Sequence, residues 1–399
     1  MSLLIKNGKI YQNGSLVKKN LFIEDGKIIK ITNQELKADE VFNAINKVII
    51  PGAIDSHVHF REPGLTHKED FLTGSMAAAA GGITTVLDMP NTIPATTNLQ
   101  RLDEKRKLAK KSIVNYGFHF GSTSDNTAEI EKARNVASVK VYMDYTTGDL
   151  KLDKLDVLEK IFSSNKTVAV HSETDHVLQA IELIKKSNNS LYFCHVSSKE
   201  ELHHAKAGKI KNNVYVEVCP HHLFLTAADL NELQSFGEMK PKLKTKEDQK
   251  ALWEGIFNGK VDTIATDHAP HTKEEKMQIN YPYGVPGCET MLPLLFNLLN
   301  EKKLTLQKIV QLCCENPAKI FKIKNKGFIK EGFDADLAVI DLNLEKEIKN
   351  DELFTKCKWS PFDSWKLKGW PIASIVNGNI VFENGKINNV KAKEVLHYE

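Results

Sequence analysis

Hydrophobic and polar positions alternate with one texture at both ends of the chain and another in the middle. Leu3 to Ile10 and Leu21 to Ile31 are runs of β-formers broken by Asn7-Gly8 and Asp25-Gly26, and Asp336 to Leu342 and Ile375 to Ile387 repeat the pattern with Asn377-Gly378 and Asn384-Gly385. Such dipeptides between β-formers signal hairpins, because both residues tolerate the positive φ of a tight turn. A lone hairpin is marginal in water. Residues 1–50 and 326–399 are therefore expected to join into one composite β-sandwich domain.

Between them, residues 51–325 alternate apolar runs with helical patterns. Eight strand candidates follow one another: Val48 to His57, Ile83 to Met89, Asn115 to Gly121, Val139 to Met143, Val168 to Glu173, Leu191 to Val196, Val214 to Cys219 and Thr263 to Asp267. Helical patterns at Lys154 to Asn165, His176 to Asn188, Lys199 to Lys211 and Lys246 to Asn258 lie between several of them. Eight β-then-α repeats predict an α/β fold of the (β/α)8 TIM-barrel type, with a doubly wound open sheet as the alternative.

Composition narrows the class of function. The 399 residues are 41% hydrophobic and 26% charged, as in a soluble globular protein. Lys and Arg number 54 against 51 Asp and Glu, a net charge of +3 spread along the chain, so neither a nucleic-acid nor a membrane surface is expected. The six cysteines form no CxxC pair, which suits a reducing compartment. The N-terminal MSLLIKNGKIYQNG alternates too often for a signal peptide, and a cytoplasmic location is expected.

Barrels of this type carry their active sites at the C-terminal ends of the strands. His57, His59 and Arg61 share one face of the first strand if it holds to its end. His171 and Cys194-His195 end strands five and six, and Asp267 ends strand eight. Lys140 lies inside strand four, where an unpaired ammonium is costly, so it must be paired, neutral or modified. Asp267 poses the same problem unless it meets a cation. Four histidines, a lysine and an aspartate at ends of strands one, four, five, six and eight point to a metal site, and imidazoles with carboxylates suit zinc and its neighbours. A lysine that has taken up carbon dioxide becomes a carbamate whose two oxygens can bridge two metals. His119, His203, His204 and His397 read as structural, and His221 and His222 as capping residues ahead of chemistry.

These residues also carry a resemblance. His57-Val58-His59-Phe60-Arg61-Glu62-Pro63-Gly64, Met89-Pro90-Asn91-Thr92 and Asp267-His268-Ala269-Pro270-His271-Thr272 together resemble the dihydroorotases of the amidohydrolase superfamily. The likeness continues through Gly287-Cys288-Glu289-Thr290-Met291-Leu292-Pro293 and Asn316-Pro317-Ala318 and covers essentially the whole chain. HxH alone marks only the superfamily; the FREPG and DHAPHT extensions are more specific. The resemblance implies two zinc ions per chain: one on His57, His59 and Asp267, the other on His171 and His195, with carboxylated Lys140 between them. Lys140-Val141-Tyr142 is similar to the lysine-bearing branch, which includes the dihydroorotase domain of the animal multifunctional pyrimidine enzyme. That branch implies a third metal at Cys194 and Glu217.

By the same resemblance Arg61, Asn91 and His271 contact a ring substrate and its carboxylate, with backbone help around Tyr283 and Gly284. Lys240 stands where the animal branch has arginine and bacterial members asparagine, and Thr146 lies in a loop expected to close over substrate. The implied reaction is the reversible cyclisation of N-carbamoyl-L-aspartate to L-dihydroorotate, with Asp267 as proton shuttle, in pyrimidine (UMP) biosynthesis. A homodimer and an association with aspartate carbamoyltransferase go with that expectation. The rivals are dihydropyrimidinase, hydantoinase and allantoinase, which share the metal chemistry, and an inactive scaffold for aspartate carbamoyltransferase.

Overall fold

The computed structural model describes residues 1–146, 148, 150–207 and 214–398. Eight parallel strands stand in sequence order around a barrel: Ala53–Val58, Ile83–Asp88, Asn115–Gly121, Ser138–Tyr142, Val168–His171, Leu191–Phe193, Val214–Val218 and Thr263–Ile264. The last meets the first through a parallel bridge between Val58 and His268 and a 2.8 Å bond from the His59 amide to the His268 carbonyl. Closure at that rim excludes the open-sheet alternative. It also joins the HxH segment to the stretch after strand eight. Helices cover the outer face and side chains fill the inner one, so most strand residues are buried.

Three expectations need correction. The run from Val48 to His57 is two strands: Val48–Pro51 pairs with Leu337–Glu347, and Ala53–Val58 opens the barrel. Gly52 is the break, where a Cβ would come within 2.1 Å of Thr84 Oγ1. The eighth strand ends at Ile264, and Asp267 follows in the left-handed region at φ 47°. Helix Lys199–Lys206 is shorter than the Lys199 to Lys211 pattern, whose end at 208–211 lies outside the described residues, as does Thr147 of the loop after strand four.

The chain ends build two further sheets. Lys27–Thr32, Asn20–Glu24, Ser2–Lys6 and Glu40–Asn43 make one of four strands. The other, of seven, runs Lys386–Ile387, Asn379–Glu383, Lys366–Val376, Leu337–Glu347, Val48–Pro51, Lys9–Gln12 and Ser15–Lys18. Ile5, Ile10, Ile23, Ile49, Leu337 and Ile375 form a core of their own between them. Two stretches expected in this sandwich leave it. Around Trp359 the chain returns to the barrel, where the indole donates to the His271 carbonyl at 2.7 Å. The C-terminal tail runs beside strand three, with Tyr116 bonded to Lys393 and Val395. Among the described residues no helix is long and apolar enough to cross a membrane.

Asp336 fastens sandwich to barrel. Its carboxylate accepts from Asn115 of strand three at 3.0 Å, from the Asn377 amide at 2.7 Å and from the buried ammonium of Lys326. Asp334 adds a second ion pair to Lys326 at 3.1 Å. Burial alone lowers the Lys326 ammonium's affinity for its proton, but Asp336 and Asp334 outweigh it and raise its pKa. A raised lysine stabilises fully below its unfolded pKa of about 10.4, and that contribution is lost as pH rises through the folded value. Replacing Lys326 by Met leaves buried carboxylate charge unpaired and should cost about 3–5 kcal/mol in urea unfolding at neutral pH. The gap to wild type should narrow as the pH climbs past about 10.4.

Candidate active site

The strand ends converge on a small cleft lined by His57, His59, Arg61, Asn91, Lys140, Tyr142, Thr146, His171, His195, Lys240, Asp267, Ala269, Tyr283 and Gly284. Eight strand-end and loop segments far apart in sequence thus meet at one point. Arg61, His195 and Asp267 all have positive φ, at 62°, 38° and 47°. Each such non-glycine residue costs roughly 1–3 kcal/mol, which the surrounding contacts must hold in place.

His57 and His59 reach the same carboxylate: Asp267 Oδ1 lies 3.3 Å from His57 Nε2 and 3.0 Å from His59 Nε2. The far nitrogens are anchored, His57 Nδ1 to Glu217 Oε1 at 2.8 Å and His59 Nδ1 to Asn91 Oδ1 at 2.7 Å. This is the pattern of metal-binding imidazoles, whose other nitrogen donates to an oxygen that fixes ring and tautomer. Burial pushes the Asp267 carboxyl up, but His57 and His59 outweigh it and hold it well below the usual carboxylate range. Burial also takes His59 down to about 4.

Across the cavity His171 Nδ1 and His195 Nε2 face each other at 2.8 Å. Burial first, and then Lys140 for His171 and His171 for His195, hold both rings well below the ordinary histidine range, so both are neutral. Two nitrogens on one tetrahedral zinc, each about 2.0–2.1 Å from it, lie roughly 3.3 Å apart, so this pair fits one ion with little movement. Lys140 is fully buried between the two histidine pairs. Its ammonium has Cys194 Sγ at 2.8 Å and the Tyr142 ring centroid at 5.2 Å, and among the described residues it forms no ion pair. Burial pulls His57 down, but Glu217 and Asp267 outweigh it and hold that ring well above the ordinary histidine range, so a cation entering here would displace its proton. Three neutral imidazoles, His57 between two carboxylates and a lysine without a carboxylate partner among the described residues are a donor set that fits divalent metals.

Cys194 and Glu217 also converge with His57, with candidate ligand atoms within 4.8 Å of one another. Glu217 is already engaged, however. It accepts from His57, from the His195 amide at 2.8 Å and from Tyr192 Oη at 2.7 Å, so in this geometry it orients two of the histidines. His271 is fully buried and stands behind the cavity wall, with Nε2 3.0 Å from Arg61 Nη2. Arg61 Nε donates to the Pro270 carbonyl at 3.1 Å. Lys240 reaches the Tyr145 carbonyl at 3.2 Å and lies 5.0 Å from the Tyr283 ring centroid, linking the loop that bears Thr146 to the opposite rim.

The histidines read as structural behave so where their bonds are seen: His119 is held by Ser138 and Ser56, and His397 by the Phe321 carbonyl. His221 and His222 are buried beside Cys219, and His222 Nε2 donates to the Pro241 carbonyl at 2.9 Å. Three residues were not singled out from sequence. Tyr142 lines the cavity two positions beyond Lys140, on the same strand face, and that spacing was the available signal. Lys276, fully buried, donates to the carbonyls of Glu238, Pro282 and Gly284, which pins the Tyr283-Gly284 rim. Lys105, also fully buried, pairs with Asp88 at 2.5 Å, while Asp88 Oδ1 accepts the Phe60 amide at 2.7 Å between His59 and Arg61.

The sequence profile of the Amidohydrolase family matches residues 48–381. The chain is 37% identical to the dihydroorotase of Methanosarcina acetivorans over an alignment 437 positions long, gaps included, covering 96% of this chain and 92% of that one. It is equally 37% identical to the dihydroorotase of Pyrococcus abyssi over 402, covering 96% of each. Among solved structures it is similar to the L-hydantoinase (dihydropyrimidinase) of Arthrobacter aurescens, with a TM-score of 0.92, 27% identity and 99% of both chains covered. A dihydropyrimidinase from Brevibacillus agri gives 0.89 at 25% identity over 97% of this chain and 96% of that one.

The Lys105–Asp88 pair holds the Phe60 amide, between His59 and Arg61. Lys105→Met leaves a buried carboxylate without its cation and should cost about 3–5 kcal/mol of stability, measured by urea unfolding. Lys105→Met combined with Asp88→Asn should recover part of that loss.

Proposed function

The chain belongs to the amidohydrolase family and is a hydrolase acting on cyclic amides, and from that premise we propose that it interconverts N-carbamoyl-L-aspartate and L-dihydroorotate, the dihydroorotase step of pyrimidine biosynthesis. The observation that carries this reading is Arg61. Its guanidinium is 2% exposed, lines the cavity beside Asp267, and is anchored through Nε to a backbone carbonyl. A buried planar cation on the wall of a small cavity asks for a carboxylate it can grip with two bonds. Dihydroorotate has one; the rings of dihydrouracil, hydantoin and allantoin do not.

In this reading His57, His59 and Asp267 would hold one zinc and His171 and His195 a second, with Lys140, once carboxylated, as a ligand to both. Bound there, the metals would supply Lewis-acid activation. Asp267 takes the proton from the attacking water and hands it to the departing ring nitrogen, a base that then serves as acid. As a ligand of a divalent metal Asp267 would be ionised, the form in which a base starts. In the reverse direction Asp267 accepts the ureido proton. Arg61 and Asn91 orient the ring from one side, and Thr146, Lys240, Tyr283 and Gly284 close the rim from the other. His271 acts through Arg61.

The relatives called dihydroorotases support this choice over the neutral-ring hydrolases named among the structural neighbours. An inactive scaffold is disfavoured because every proposed ligand position is filled and converges. Six free, buried cysteines suit a cytoplasmic location. A homodimer and an association with aspartate carbamoyltransferase rest on the resemblance alone.

Two measurements test this reading. The purified chain should turn over L-dihydroorotate and N-carbamoyl-L-aspartate and leave dihydrouracil, hydantoin and allantoin nearly untouched. A preference for any neutral ring overturns the assignment. Asp267→Asn should bind dihydroorotate while losing about 10²–10⁴ in turnover, read by steady-state kinetics and direct binding.

A further inference from the structure

His271 sits between three polar groups that one neutral imidazole cannot satisfy together. Lys68 Nζ lies 3.1 Å from its Nδ1, while Arg61 Nη2 at 3.0 Å and the Tyr283 carbonyl at 2.9 Å both meet its Nε2. Burial, and then Arg61, Lys68 and Lys276, keep the ring far below the ordinary histidine range, so it carries a single proton. An ammonium can only donate. With the ring proton on Nε2, two of the three contacts are met: Nδ1 accepts from Lys68 and Nε2–H donates to the Tyr283 carbonyl, whereas the proton on Nδ1 would meet only the Arg61 contact. Arg61 Nη2, also a pure donor, then finds no lone pair on the nitrogen beside it.

The other tautomer would reverse this. With its proton on Nδ1, the ring could turn that N–H toward Glu275 Oε2, 3.8 Å away, and offer the Nε2 lone pair to Arg61. The Nη2 N–H that faces the ring would then be satisfied inside the protein. Lys68 is 8% exposed and is itself held by Glu275 Oε1 at 3.0 Å, so it is fixed in the position that forbids this.

We propose that Lys68 is a positioning residue for substrate selection: by holding His271 in the Nε2–H form it keeps the Arg61 donor free for the carboxylate of the ring. The inference rests on the dihydroorotate reading. It adds a reason for the demand for an anion, because a donor denied its internal partner costs free energy until an acceptor arrives. A neutral ring with an N–H or C–H at that position leaves the cost in place.

The test uses the metal-loaded full chain with nitrogen-15-labelled histidine. Wild-type His271 should show a protonated Nε2 and a bare Nδ1 by NMR, and Lys68→Met should move the proton to Nδ1. The same variant should raise KM for dihydroorotate about tenfold to a hundredfold, the worth of one charge-assisted hydrogen bond, with kcat changed less than about threefold. Lys68→Arg, which keeps a donor, should hold the wild-type tautomer and most of the affinity. A wild-type ring protonated on Nδ1 overturns the proposal without any variant. So does a Lys68→Met enzyme whose tautomer or KM stays put. If wild type fails to turn over dihydroorotate, the substrate reading falls, while the NMR result still decides whether Lys68 sets the ring.

Discussion

A lysine side chain buried, among the described residues, without a carboxylate partner is the constraint on which the site turns. Lys140 is fully enclosed, lines one cleft with His57, His59, His171 and His195, and has a thiol as its close partner. An ammonium in that setting is expensive, since neither charge nor solvent compensates it. Carboxylation replaces the cation by an anion with two oxygens, and the proposed metals then answer the charge. On this reading the lysine, the two pairs of histidines and Asp267 form one electrostatic unit, none of whose parts would be stable there alone.

The supporting contacts follow from that need. Glu217 ties His57 and the His195 backbone together from below. Asp88, neutralised by Lys105, holds the Phe60 amide, so His59 and Arg61 leave the strand in fixed directions. Barrel closure through His59 and His268 brings Asp267 against the HxH pair. The three positive-φ residues lie at these held points. Backbone strain of this kind persists where surrounding bonds over-determine it. The same economy extends to the carboxylate side, where Arg61 is oriented by Pro270 and backed by His271.

How much could be read from sequence depended on whether the signal was local. Period-two alternation placed His57 and His59 on one face, and the cost of a lysine between valines marked Lys140 before any contact was known. The barrel was legible because eight apolar runs recur between helical patterns. What escaped was set by partners distant in the chain. Nothing near Lys105 announces Asp88, because a lysine in a charged helix reads as a solvated one. Gly52 sits inside a continuous apolar run, and only its contact with Thr84 shows that the chain changes sheets there. His271 is buried against Arg61 and Lys68, contacts that spacing along a loop does not encode. The stretch around Trp359 was assigned to the sandwich by position and leaves it because its indole finds the His271 carbonyl.

The account is tested most directly at Lys140. Carbon-13 NMR of the metal-loaded enzyme, equilibrated with carbon-13 bicarbonate, should show a carbamate carbonyl resonance that rises with metal content and is missing from Lys140→Met. A fully active, metal-replete enzyme without that resonance would contradict the shared-lysine centre.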